Sequence, residues 1–321
     1  MPNGPKVVGA LLASVVIAAG MTSVAVGRCE WGTFAYRAWL PLPGDVPEGP
    51  AAVLLVDGEE RVLFETTPDG DEAIIPGEMA LSPDGQEVVF EKLRTTLDNE
   101  YAVPESLGLY VYDVDGGAVR EISDDGGFKL DWSPDGTSIV LMSGLTIGTI
   151  DPDGGNEEII FRMPPSDLAD PPTIGDVAWS GDSERIAFAI QHHGGARPTA
   201  EIWSMRSDGT DRRLEVKVGE SFGTPIVWSP NGGHFAFGGL WEGVDSVILA
   251  EAADGKLSQV EPHSEYPVWS NDGNRLAYLI AHEGHYAPRI VVGDARGRGE
   301  EAVPVPDDWK GVERLDDWAS C

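Results

Sequence analysis

Basic residues, cysteines and histidines are scarce in this chain, and helical periodicity is missing from almost all of it. Only 22 of 321 residues are Lys or Arg, against 54 Asp and Glu, a formal net charge of −32. Such a surface repels phosphate backbones and anionic head groups, which argues against nucleic-acid binding. It favours solubility, cations and basic partners. His192 with His193, and His282 with His285, are too few and too far apart in the repeat order for a structural zinc site, and read as solvated loop residues. The sequence GESFG (219–223) has the spacing of a nucleophile elbow around Ser221, but strand-like TPIVW follows it where that chemistry needs a helix. No catalytic constellation is recognisable.

One long apolar run is present. Residues 7–27 carry no charge and are long enough to span a bilayer as a helix. Lys6 ahead of the run favours an amino terminus in the cytoplasm and the remainder outside. Ala25-Val26-Gly27 also suits signal-peptidase cleavage after Gly27, so residues 1–28 read as a signal peptide or a single anchor. Arg28 stands where a lipoprotein signal before Cys29 needs a small residue. Residues 29–321 are expected to fold outside the cytoplasm, and to touch a membrane only through 7–27 if that segment is retained.

Those residues are repetitive. LDWSPDGTSIVL (130–141) recurs as ALSPDGQEVVF (80–90), AWSGDSERIAFA (178–189), VWSPNGGHFAFG (227–238) and VWSNDGNRLAYL (268–279). The residues before the motif serine are Leu81, Trp132, Trp179, Trp228 and Trp269, and one further interval reaches Trp318. Spacings of about 40–50 residues are those of propeller blades built from four short strands. One repeat reads as strand FKLDW (128–132), turn SPDG, strand TSIVLM (137–142), strand TIGTI (146–150), turn DPDGG and strand EEIIF (157–161). Pro presets its backbone torsion in such a turn, Asp bonds the backbone ahead, and Gly takes the left-handed conformation.

The two ends of the chain complete one repeat between them. EWGTFAYRAWL (30–40) and AAVLLVDGEERVLFET (51–66) supply strands two to four, while VERLDDWASC (312–321) is a first strand without a second. The expected fold is all-β: a six-bladed β-propeller of four-stranded blades, closed by pairing of the amino- and carboxy-terminal strands and preceded by one hydrophobic export or anchor helix. Cys29 and Cys321, the only cysteines, fall where the cut turn would be. A disulfide there would restore the link, and an oxidising compartment permits it. Free thiols, or pairing between chains, are the alternatives.

The tandem SPDG-type motifs and the DG turns after them resemble the TolB-like β-propeller repeat family over roughly residues 30–321. The resemblance implies a six-bladed platform outside the cytoplasm that binds a protein or small ligand. In the family's namesake an α/β domain precedes the propeller; here only the export segment is expected ahead of it.

DVDGGAVRE (113–121) and DPDGGNEE (151–158) resemble calcium loops but sit where a blade needs a turn and lack the later glutamate. No cofactor is expected, with calcium the one ion so acidic a protein would suit. The Trp series reads as wedges between blades. Glu78, Asp131, Asp176 and Asp317, with Asp316, fall on the innermost strands and are the channel candidates. The longer loops form the expected binding face, with Tyr101, Arg197, Trp241, Tyr286 and Trp309 as anchors. The reading is a monomeric, extracytoplasmic, non-enzymatic binding module of the cell envelope. The alternative is a metal-dependent lyase or lactonase with a cation in the channel.

Overall fold

Every motif turn is tied by the same short network, which explains why the sequence spells Ser-Pro-Asp-Gly. In a computed structural model, the motif serine hydroxyl donates to the carboxylate two residues on, from Ser82 to Asp84, Ser133 to Asp135, Ser180 to Asp182 and Ser270 to Asp272, at 2.6–2.7 Å. The same hydroxyl accepts the amide five residues on, as in Ser138 N to Ser133 Oγ at 2.9 Å. All five motif serines are buried and satisfied. The fourth turn residue is left-handed: Gly85, Gly136, Gly232 and Gly273 have φ of 67–76°, and Ser183 has φ 59°. Glycine is the residue that takes this region without strain.

The structure describes residues 33–40, 49–56, 59–69, 72–96, 104–127, 129–166, 168, 170–194, 199–220, 222–280, 289–303 and 312–319. Strands β1 (Thr33–Leu40), β2 (Gly49–Val56) and β3 (Glu59–Glu65) come first. Blade I is β4 (Thr67–Asp69), β5 (Glu72–Leu81), β6 (Glu87–Thr96), β7 (Glu105–Asp113) and β8 (Val119–Ser123). Blade II is β9 (Lys129–Trp132), β10 (Ile139–Ser143), β11 (Thr146–Ile150) and β12 (Glu158–Arg162). Blade III is β13 (Thr173–Trp179), β14 (Arg185–His192), β15 (Thr199–Arg206) and β16 (Arg213–Glu220). Blade IV is β17 (Phe222–Trp228), β18 (His234–Trp241), β19 (Val244–Glu251) and β20 (Leu257–Pro262). Blade V is β21 (Ser264–Trp269), β22 (Arg275–Ile280), β23 (Arg289–Asp294) and β24 (Glu301–Ala302). The last strand, β25 (Val312–Ala319), returns to pair with β1, giving a closing sheet of order β25-β1-β2-β3.

The expectation of six uniform four-stranded blades is corrected here. Five blades, not six, are built from contiguous chain, and blade I has five strands because β4 adds to the edge of β5. The closing sheet is a composite of both ends of the described chain, paired antiparallel from Thr33↔Ala319 through Phe34↔Trp318 to Ala38↔Val312 with two register shifts. Its inner strand lies between those of blades V and I. No helix occurs among the described residues. The expected export helix, and both cysteines, lie outside them.

Strand alternation builds the core. On β10, Ile139 and Leu141 pack toward blade I while Val140 and Met142 pack toward blade III. Likewise Phe235 and Phe237 face blade III, and Ala236 between them faces blade V. Both faces of an inner strand are therefore apolar, and the near-continuous run is what burial on two sides requires.

Candidate binding site at the channel mouth

Six strands (β25, β5, β9, β13, β17 and β21) line a cavity of about 390 Å³ that opens among the motif turns. Glu78, Asp131, Asp176 and Asp317, picked out from their place in the repeats, all stand on its wall. The structure gives three of them a structural task. One carboxylate oxygen of Asp317 accepts the amide of Trp318 (2.7 Å) and the other accepts Leu81 N of the next blade (2.9 Å). Asp131 accepts Trp179 N at 2.5 Å, and Asp176 accepts Val177 N and Ile226 N, each at 2.9 Å. Counting from the motif aromatic, Asp131 and Asp317 at −1 hold the next blade's position 0, and Asp176 at −3 holds position −2. It is one clamp used at two depths. Burial raises all three carboxyls above the ordinary range; at Asp131 the nearby Asp317 and Asp176 add to it, and at Asp176 the Lys129 ammonium opposes it.

Glu78 belongs to a second set. Arg314, 8% exposed, donates to both of its carboxylate oxygens and to Asp316. Lys129 Nζ adds an ion pair to Glu78 at 3.2 Å. Burial works against the Lys129 charge, but Asp176 and Glu78 outweigh it and hold its ammonium above the ordinary range. These fixed charges answer one another across the channel. Lys129 and Arg314 were not picked out from sequence, although both stand just ahead of the motif aromatic, as Glu78 and Asp176 do. Lys129 holds the place three residues ahead that Glu78 and Asp176 hold in their repeats, and Arg314 stands one residue earlier in its own.

Above this layer sits a ring of aromatic residues. Trp132, Trp179 and Trp269 are 5%, 5% and 7% exposed, and their buried indole N–H groups have no acceptor among the described residues. Trp228 is half-buried and donates to Gly232 O at 3.4 Å. A buried donor without an acceptor costs about 1–3 kcal/mol, so three repeated on one cavity wall need a partner.

Glu91, also not singled out from sequence, lies behind Glu78. It is 1% exposed, and its Oε1 makes no hydrogen bond among the described residues. Burial pushes its carboxyl up to about 7, against the Ser106 hydroxyl and with help from the Glu78 charge. A Cβ on Gly126 would come within 2.4 Å of that oxygen, so the loop after blade I closes over it. Because the folded chain holds this proton more tightly than the unfolded chain, stability falls as pH rises from about 4.5 to 7. Asp131, Asp176 and Asp317 contribute with the same sign. Glu91→Gln is expected to make the decline shallower in thermal melts across that range, and an unchanged slope would place the Glu91 proton in solvent.

Of the expected loop-face anchors, Trp241 ends β18, half-buried against the core between blades III and IV, and does not reach the cavity. Tyr101, Arg197, Tyr286 and Trp309 lie outside the described residues, as do Ser221, His282 and His285. His193 shares a hydrogen bond with Thr173 at 2.9 Å, and His192 lies 3.7 Å from Glu201. In the DG turns, Asp113 accepts the amides of Asp115 and Gly116, and Asp153 accepts that of Gly155. Among the described residues no group of three His, Cys, Asp or Glu is arranged to hold a metal.

No family profile and no curated protein matches the chain. Solved structures do. TolB from Acinetobacter baumannii aligns with TM-score 0.63 at 16% identity, over 90% of this chain and 66% of that one, so the chain spans just under two thirds of its length. A putative TolB from Agrobacterium tumefaciens aligns with TM-score 0.54 at 14% identity, over 85% and 89%. A chain of a nidogen/laminin complex aligns with TM-score 0.57 at 13% identity, over 90% and 100%. Oligogalacturonate lyase in complex with manganese aligns with TM-score 0.54 at 13% identity, over 85% and 74%. At such identities the likeness shows the fold: a TolB-like propeller.

Proposed function

We propose that the chain is an extracytoplasmic binding module of the TolB-like repeat family, which receives a protein partner at the motif-turn mouth of its channel. The observation that carries this is the pairing of two layers on one cavity wall. Below, Glu78, Arg314, Lys129 and Asp316 neutralise one another; above, three buried indole donors wait for acceptors. The fixed charges are spent on structure, and the donors suit recognition more than chemistry. The fold equally accommodates the alternative, a metal-dependent lyase or lactonase. Its support is structural likeness to oligogalacturonate lyases at 12–13% identity, which speaks to fold alone.

A photo-crosslinking residue at Pro230, on the cavity mouth, tests the reading in intact cells. One stoichiometric partner captured there, and none through Val119 on an outer strand, is the expected result. Diffuse capture at both positions would overturn it.

Export and closure are tested together by intact mass. The mature chain is expected to begin at Arg28, or to remain full length in the membrane fraction, and to carry no alkylatable thiol until reduced. Cys29 and Cys321 would then form the proposed bridge. Two thiols labelled without reduction in the folded, exported protein would remove it.

A further inference from the structure

The motif turns form a collar around the channel mouth; among the described residues a hydrogen bond or a close packing contact spans four of its joints, and a notch opens at the fifth. Between blades II and III, Asp135 N donates to Ser183 Oγ at 3.0 Å. Between III and IV the backbones touch: a Cβ on Gly181 would lie 2.0 Å from Pro230 O. Between IV and V, Gly273 packs on Pro230 and Asn231. From blade V, Asn271 Nδ2 reaches past the closing sheet to Pro83 O of blade I at 3.0 Å. Between the turns of blades I and II no hydrogen bond is made among the described residues, and a notch of about 440 Å³ opens there. Ser82, Pro83, Trp132 and Pro134 line both the notch and the channel cavity, so the two are continuous.

The notch is acidic and has one buried donor. Asp84, Glu87, Asp113 and Asp135 line it. Asp84 is held below the ordinary carboxylate range by the Ser82 hydroxyl and the Gln86 amide. Asp135 is held low by the Ser133 hydroxyl and the Thr137 amide and hydroxyl, although burial opposes them. Both are ionised at neutral pH. Each uses one carboxylate oxygen within its own turn, and the other makes no hydrogen bond among the described residues. Glu87 is answered by Arg120 at 2.7 Å. Trp132, 5% exposed, stands on the notch wall, and its indole N–H has no acceptor among the described residues.

We propose that this notch is a docking site for a basic peptide segment, which enters the channel sideways between blades I and II. The inference rests on the binding-module reading and adds the entrance and the partner's chemistry. A peptide supplies both things the notch lacks: lysine or arginine side chains for Asp84 and Asp135, and a backbone carbonyl for the Trp132 N–H. A polyamine supplies the first alone. An acidic peptide supplies neither charge.

The chain itself provides a conservative test. Blade IV has Asn231 where Asp84 and Asp135 stand, and its Oδ1 still caps the turn, accepting the Ser229 hydroxyl and the Gly233 amide at 2.9 Å. Asp→Asn therefore removes charge and keeps the turn. The probe is a fluorescein-labelled short peptide of alternating glycine and lysine, read by anisotropy with the full chain at physiological ionic strength.

D84N/D135N is expected to weaken binding about tenfold. D182N/D272N, the same change in fastened turns, leaves it within about twofold. W132F weakens the peptide about threefold but leaves spermidine unaffected as competitor. Equal loss in both double variants reduces the effect to overall charge, and overturns the site. Spermidine or calcium displacing the peptide at its own affinity, or an alternating glycine–glutamate peptide binding as well, does the same. Capture of a partner through Pro230 with normal peptide binding by D84N/D135N sinks the notch and leaves the module reading standing.

Discussion

Arg314→Met is expected to lower the free energy of unfolding by about 3–5 kcal/mol, measured by urea denaturation followed through tryptophan fluorescence. Arg314 is 8% exposed, and its guanidinium donates to both oxygens of Glu78 and to Asp316, whose side chain is 1% exposed. Methionine conserves much of the apolar stem but takes the guanidinium away from Asp316 and Glu78, leaving Glu78 with the Lys129 ammonium. Among the described residues Lys129 makes no ion pair with Asp316. The double variant E78M/R314M is expected to recover little of the loss, because Lys129 then loses the carboxylate it pairs with. A loss under about 1 kcal/mol for the single variant, typical of exposed pairs, would mean that water reaches this layer and the network is not structural.

Trp318→Ala is the second large effect, about 3–5 kcal/mol. Trp318 is 1% exposed, stacks on Phe34 with ring centroids 5.0 Å apart and planes 13° apart, and lies under the Arg275 guanidinium at 4.9 Å. It fastens β25 to β1, so its loss opens the joint between the two ends of the described chain. Trp228 holds the same place in its repeat but is half-buried, and Trp228→Ala is expected to cost about 1–2 kcal/mol. Equal costs at the two positions would show that the repeat position, rather than the closure, sets the energy. Urea midpoints for both variants, with unchanged dependence on denaturant, decide it.

What the residues alone determined was periodic. The serine–proline–aspartate–glycine spelling marks each turn because hydroxyl, ring, carboxylate and missing side chain each satisfy one local requirement. Alternation marks the strands that follow, and TIGTI is found as β11 at its expected limits, Thr146–Ile150. Even the joining of the ends was legible, since half a repeat at each end must be completed by the other. The placing of Glu78, Asp131, Asp176 and Asp317 around one channel followed from the same periodicity.

Only the tertiary structure decided the rest. The short β4 was invisible because three residues carry no period, and it is a strand only because β5 runs beside it. The tasks of the channel acids depend on which amide of the next blade lies within reach, a distance between segments about 50 residues apart. Arg314 and Glu78 meet across 236 positions of chain, and nothing local to either records the other. The notch belongs to the same class. Five copies of one turn are nearly alike in sequence, and whether two neighbours fasten or part depends on how their blades lean, which no single turn encodes.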